Sequence, residues 1–212
     1  RQAGVPQSRL RMVRGSGLDT SVFSPGPKSP EPICVVMATR ILWDKGVGEF
    51  VEAARSLKLA VPEVRFILVG EPDLDNPASV PKTTLKAWQE DNVVEWWGHS
   101  DAMAKIFQMA HVVCLPSYRE GLPKVLIEAA ACGKPIVTTD VPGCREVVRD
   151  GDNGLLVPVR DSKALASALL RLIENSELRT EMGKRSREIA LAEFSSEHII
   201  AQTLDIYKEL VE

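Results

Sequence analysis

The chain has 212 residues, 44% apolar and 26% charged, with a formal net charge of -3. Those proportions belong to a globular domain able to bury a substantial core, and the slight acidity argues against nucleic acid as a partner. No apolar run approaches the roughly 18 residues that a membrane span needs, and no signal peptide is expected.

In chain order, residues 1–32 lack sustained periodicity, and Pro25, Pro27, Pro30 and Pro32 exclude a helix there. This stretch reads as a lead-in segment and interdomain linker. Arg1, Arg9, Arg11 and Arg14 all precede the first acid, Asp19. They make either a solvated basic surface or a peripheral contact with anionic membrane lipid. The first residue is Arg1 rather than Met, so the sequence is expected to be part of a longer protein.

A regular pattern then starts. Apolar runs at 33–38, 64–69, 93–97, 112–115, 135–139 and 155–157 predict six strands. Helical spacing predicts helices over 46–59, 83–89 and 102–109, with Asp101 as N-cap of the third. A fourth helix begins near Pro123 and stops at Gly133. Further helices are expected over 144–148, over 162–173 with Asp161 or Ser162 as cap, and over 177–193 and 197–210. Continuous apolar strands alternating with helices imply a parallel sheet covered on both faces. The expected fold is therefore α/β: a doubly wound, Rossmann-like six-stranded parallel sheet with helices on both faces and C-terminal helices. The core domain is expected over 33–194, with 195–212 as a C-terminal helix.

Two strand-to-helix turns carry the candidate chemistry. The first, 39–46, holds Arg40 and Lys45 beside a helix N-terminus, where anions are favoured. Arg40 can bind phosphate oxygens bidentately and Lys45 can add a point charge. The second turn, 118–128, holds Glu120, Gly121, Leu122, Pro123, Lys124 and Glu128. Gly121 permits close backbone approach, and Pro123 suits a first helical turn. The N–H groups of Leu122, Lys124 and Val125 are then expected to face the cleft. Glu128 falls roughly 9 Å further along the helix axis. Two carboxylates so spaced can hold the hydroxyls of two polyols, such as a sugar and a ribose.

Other motifs are absent. No G-x-G-x-x-G follows the first strand, and neither a P-loop nor a G-x-S-x-G elbow occurs. His99 follows Gly98 at a strand end and could line a base or sugar pocket. His111 reads as structural, His198 as exposed, and the Trp96-Trp97 pair as core. Cys34, Cys114, Cys132 and Cys144 form no CxxC and read as buried free thiols of a reducing compartment. Asp73-Leu74-Asp75 has donor-metal spacing but reads as a loop feature.

Taken in order, these stretches resemble the C-terminal, donor-binding domain of family-four retaining glycosyltransferases of the two-domain B-type fold. Among them the bacterial enzymes of capsule and lipopolysaccharide O-antigen assembly are the most similar. The matching stretches are 40–46, 68–70, 97–99, 116–124, 128–135, 139–146 and 150–158. The resemblance implies a glycosyltransferase of hexosyl or N-acetylhexosaminyl type, using a nucleotide sugar (UDP-linked) as donor, without a metal cofactor. Arg40 and Lys45 would bind the donor diphosphate, Glu120 the sugar hydroxyls and Glu128 the ribose. Gly121 and Leu122, with Lys124 beside them, would approach the sugar and phosphates. Gly98 and His99 would face the base. A saccharide or lipid-linked saccharide acceptor would bind through an N-terminal domain outside this sequence, so the piece alone would bind nucleotide and turn over little. The place implied is the cytoplasm, peripheral to the inner face of the membrane. Thr39 stands where many members have Gly, and Leu122-Pro123 where many have Phe-Gly. A nucleotide-sugar-binding module without transfer activity, or a B-type epimerase or phosphorylase, are the alternatives.

Overall fold

Strand β1, Cys34–Ala38, is CVVMA with every residue buried. Val35, Val36 and Met37 are each 0% exposed. Successive strand residues face opposite sides, so both sides of the sheet are covered. The computed structural model describes residues 10–15, 17–27 and 31–211. Arg1, Arg9 and Pro30 lie outside the described residues.

After β1 come α1 (Val47–Ala60), β2 (Arg65–Val69), α2 (Lys82–Glu90), β3 (Glu95–Gly98), α3 (Met103–Met109) and β4 (Val112–Leu115). Next are α4 (Lys124–Ala131), β5 (Ile136–Thr139), α5 (Pro142–Arg145), β6 (Gly154–Val157), α6 (Ser162–Glu174), α7 (Ser176–Ile189) and α8 (Ser196–Val211). The six strands form one sheet in the order β3-β2-β1-β4-β5-β6, and every pairing is parallel. The expected doubly wound fold is therefore observed. Helix α1 packs on α6, while α4 packs on α3 and α7. The strand order reverses direction between β1 and β4. That switch point opens a crevice at the carboxyl ends of these two strands.

Several local expectations are corrected. Val93 and Val94 are buried but precede the β3 ladder, which starts at Glu95. Asn92, in the left-handed region at φ 56°, turns the chain there, and Val93 N–H donates back to Trp88 O. Asp101 does not cap α3: the N-cap is Ala102, without a side-chain bond. The Asp101 carboxylate instead meets His99 Nε2 at 3.1 Å. Helix α5 begins at Pro142 rather than Cys144, because Pro fits the first turn. Pro123 occupies the N-cap position of α4, one step before the helix. The long helix expected over 177–193 relaxes into a π-helix at Ala190–Phe194. Asp161, by contrast, caps α6 as expected, its carboxylate accepting from Ala164 N–H at 2.8 Å.

Trp97 is not core. It is 39% exposed on edge strand β3, with Arg65 stacked over its ring. Trp96 is half-buried and donates its indole N–H to Gly70 O at 2.8 Å. His111 is structural as expected, its Nδ1 accepting from Cys34 N–H. His198 is half-buried rather than exposed. All four cysteines are buried and free. Arg11 pairs with Glu209 at 2.7 Å, and Arg14 lies near Glu146 and Glu193. Among the described residues no helix is long and apolar enough to cross a membrane.

Candidate functional site

The turn after β1 is a single 3-10 turn, Trp43–Lys45, closed by Gly46 in the left-handed conformation at φ 77°. Gly46 is required twice over. Only glycine adopts that φ without strain, and a Cβ there would lie 2.1 Å from Pro116 O. The β1 turn is thereby pressed against the loop that leaves β4. Tyr118 N–H donates to Asp44 O at 2.9 Å across this seam. Lys45 Nζ reaches Glu120 Oε1 at 2.7 Å, with side chains only 18% and 13% exposed. The two turns singled out in the sequence thus meet over the crevice, 75 residues apart in the chain.

The Glu120 loop is held from three further directions. Gly143 backs it so closely that a Cβ would lie 2.2 Å from Gly121 O and 2.4 Å from Glu120 O. Thr139, at the end of β5, donates its hydroxyl to Ser117 O. Tyr118 donates its hydroxyl to Glu49 Oε1 at 2.7 Å on the first turn of α1, and Arg160 lies 4.6 Å over the Tyr118 ring. Arg160 itself sits at φ 59°, a left-handed conformation uncommon for a non-glycine residue. Burial, with help from Glu49, raises the Tyr118 phenol above its ordinary range. The other oxygen, Glu49 Oε2, is buried without a partner among the described residues. Tyr118→Phe would orphan Oε1 as well. It is expected to cost about 1–2 kcal/mol, read as a lower urea midpoint at unchanged m.

A second group gathers beside this pair. Arg40, Glu128 and His99 line one cavity of about 320 Å³ with Thr39, Gly70 and Ser100. Glu128 stands in the second turn of α4 and makes no hydrogen bond or ion pair among the described residues. Its burial pushes the carboxyl above the ordinary value of 4.5, opposed by the charge of Lys124. Arg40 is largely exposed and pairs with Asp73 at 3.2 Å. Gly98, at φ 68°, ends β3 where a Cβ would press on Glu71 Oε1. His99 is exposed and engaged with Asp101.

Leu122 and Lys124 fall elsewhere. They line a separate cavity of about 210 Å³ with Arg14, Gly17, Ile127 and Phe194. Gly121 is exposed, and a Cβ built on it would meet no atom within 4 Å. Sequence reasoning missed Glu49, Arg160, Asp73 and Gly143. Asp73 had its spacing signal and Gly143 belonged to a matching stretch, but neither suggested the partner found.

Comparison with known proteins agrees with this architecture. The model of the family Glycosyl transferases group 1 matches residues 20–189. The chain is 31% identical over 226 residues to N,N'-diacetylbacillosaminyl-diphospho-undecaprenol alpha-1,3-N-acetylgalactosaminyltransferase of Campylobacter jejuni, covering 100% of this chain and 57% of that protein. It is 30% identical to the capsular polysaccharide biosynthesis glycosyltransferase CapM of Staphylococcus aureus, covering 79% of this chain and 44% of that one. It thus spans about half the length of the curated relatives it matches. The fold is shared with Anabaena Alr3699/HepE, solved in complex with UDP and glucose. That likeness has a TM-score of 0.77 and 22% identity, over 92% of this chain and 55% of that one. With four-fifths of its length under the family model, the chain belongs to the group 1 glycosyl transferases, the family whose B-type C-terminal domain its sequence resembles.

Proposed function

We propose that this chain is the donor-binding half of a retaining glycosyltransferase that takes a UDP-sugar. The observation that carries the reading is the Lys45–Glu120 pair at the switch-point crevice, beside a cavity shared by Arg40 and Glu128. Cleavage of a glycosyl–phosphate bond develops negative charge on the diphosphate. Arg40 and Lys45 stabilise that charge from fixed positions, without reorganisation, and so take the part a divalent metal plays in other transferases. Glu120 accepts hydrogen bonds from sugar hydroxyls and Glu128 from the ribose. Gly98 and His99 edge the space for the base, and the exposed Gly121 leaves room for the sugar. Leu122 and Lys124 complete the sugar–phosphate approach through their backbone rather than their side chains.

The acceptor is a saccharide or lipid-linked saccharide of bacterial surface polysaccharide assembly, a reading supported by the names of the Campylobacter and Staphylococcus relatives. It binds a second domain across the crevice. Residues 33–194 form the donor domain, and α8 packs toward that second domain with the exposed Ile200, Leu204 and Tyr207. Arg11 and Arg14 lie beside carboxylates of the protein itself, in exposed pairs worth about 0–1 kcal/mol each.

The test is calorimetry with UDP, GDP and ADP, followed by transfer assays on the full-length protein. Binding of UDP without transfer would favour a non-catalytic module. Failure to bind any of the three would remove the donor site altogether. Glu128→Gln supplies the sharper measurement. A buried charge disfavoured by desolvation makes the folded pKa higher than the unfolded one. The stability it contributes is then present below pH 4.5 and lost as pH rises through the raised folded value. Donor binding runs the opposite way, weakening as the carboxylate is protonated. Glu128→Gln is therefore expected to raise the melting temperature at neutral pH while weakening UDP binding by about 10-fold. Weaker melting, or unchanged UDP affinity, would contradict the role of Glu128.

A further inference from the structure

Two cation–carboxylate pairs at the carboxyl edge of the sheet, both involving the turn after β1, differ in character. Lys45–Glu120 is short and mostly buried, at 2.7 Å with exposures of 18% and 13%. Arg40–Asp73 is longer and open, at 3.2 Å with exposures of 65% and 34%. An exposed pair of this kind contributes about 0–1 kcal/mol, so an arriving diphosphate can take Arg40 away from it. A diphosphate offers Arg40 more charge and paired oxygens for its planar guanidinium.

Asp73 itself is anchored. Its loop leaves β2 and is laced to the β1 turn: Ile41 N–H donates to Glu71 O, Trp43 N–H to Ala78 O and Val80 N–H to Ile41 O, at 3.0, 2.8 and 3.0 Å. Asp73 O accepts from Asn76 N–H at 3.0 Å, and Asn76 Oδ1 accepts from Ala78 N–H at 2.9 Å. When Arg40 turns to a ligand, Asp73 therefore stays nearby as a fixed negative charge. Among the described residues Asp73 belongs to no cluster of His, Cys, Asp and Glu side chains of metal-binding geometry.

We propose that Asp73 is a built-in competitor for the donor diphosphate: it holds Arg40 in the empty site, weakens nucleotide binding and speeds release of the spent nucleoside diphosphate. The proposal rests on the donor-site reading above. It turns Asp73 from a loop residue into a positioning residue that acts through Arg40. A site that binds donor too tightly also retains product, so a retained competitor serves turnover where nucleotide release limits the rate.

The test compares the full chain with its Asp73→Asn variant by calorimetry, using UDP and uridine as paired ligands. Asp73→Asn removes the charge and keeps the shape at a half-buried loop side chain, and an unchanged melting temperature checks that the variant folds. UDP is expected to bind about three- to tenfold more tightly in the variant, with uridine unchanged. The gain should shrink at about 1 M salt, where the screening length falls to about 3 Å. It should also shrink in an Arg40→Ala background. Stopped-flow release of UDP should slow by a similar factor. Unchanged or weaker UDP binding in Asp73→Asn, or an equal change for uridine, overturns the proposal. Absence of UDP binding to the wild-type chain overturns the donor-site reading first, and this inference with it.

Discussion

Lys45→Ala is expected to lower transfer by the full-length enzyme by about 10²- to 10³-fold, the usual loss when one preorganised charge donor is removed. The size follows from the position of the ammonium. Lys45 ends the 3-10 turn after β1, and Gly46 fixes the next step of the chain. Its Nζ is held 2.7 Å from Glu120, and both side chains are mostly buried. On the proposed function, a charge so placed would not have to reorient as negative charge develops on the leaving diphosphate. The same substitution also leaves Glu120 without its counterion, and an orphaned, mostly buried carboxylate destabilises the fold. The two consequences can be separated. Lys45→Ala with Glu120→Gln removes the orphaned charge, so the melting temperature should recover, while transfer by Lys45→Ala alone, assayed well below its melting transition, reads the loss of the ammonium. Near-wild-type transfer by Lys45→Ala in a folded protein would remove Lys45 from the mechanism.

Gly46→Ala is expected to destabilise the chain by about 2–4 kcal/mol, combining a left-handed backbone penalty with overpacking. For a domain of this size that corresponds to a fall of roughly 5–15 °C in melting temperature. The new methyl would lie 2.1 Å from Pro116 O and 2.7 Å from Pro116 C, both backbone atoms that cannot rotate aside. Relief requires the β1 turn and the β4 loop to part. That movement would lengthen the Lys45–Glu120 contact and the bond from Tyr118 N–H to Asp44 O. Donor affinity should therefore fall together with stability. Gly48→Ala is the control, because a Cβ there meets only the Trp43 ring at 3.5 Å, an ordinary contact. Equal melting temperatures for the two variants would show that the close approach at Gly46 carries no structural weight.

The fold was readable because its signals are local. Buried strands on both faces appear as unbroken apolar runs, and β4, VVCL, was located to the residue. Helices show their period, and Asp161 announces its cap. Signals failed where a neighbour elsewhere in the chain decided the outcome. Asp101 had every property of an N-cap but engaged His99 instead. Trp97 had the hydrophobicity of a core residue, yet β3 lies at the sheet edge, where one flank of the strand has no partner.

The candidate site divides in the same way. Arg40, Lys45 and Glu120 stood out because each lies at a strand-to-helix turn, and Glu128 because it follows one on the next helix, where parallel α/β topology sends residues to one edge. Alternating strands and helices, with glycine and proline at the turns, thus determined from sequence the fold, the edge that carries the site and the residue types available there. Which of these residues share a space was a tertiary decision. Arg40, Glu128 and His99 enter one cavity, while Leu122 and Lys124 turn to another beside Arg14 and Phe194. Only the tertiary structure set Asp73 against Arg40, 33 residues away, and Gly143 behind Glu120. The physical reason is range: caps, turns and periodicity act over a few residues, whereas ion pairs and close backbone contacts depend on distances that exist only after the strands have been ordered.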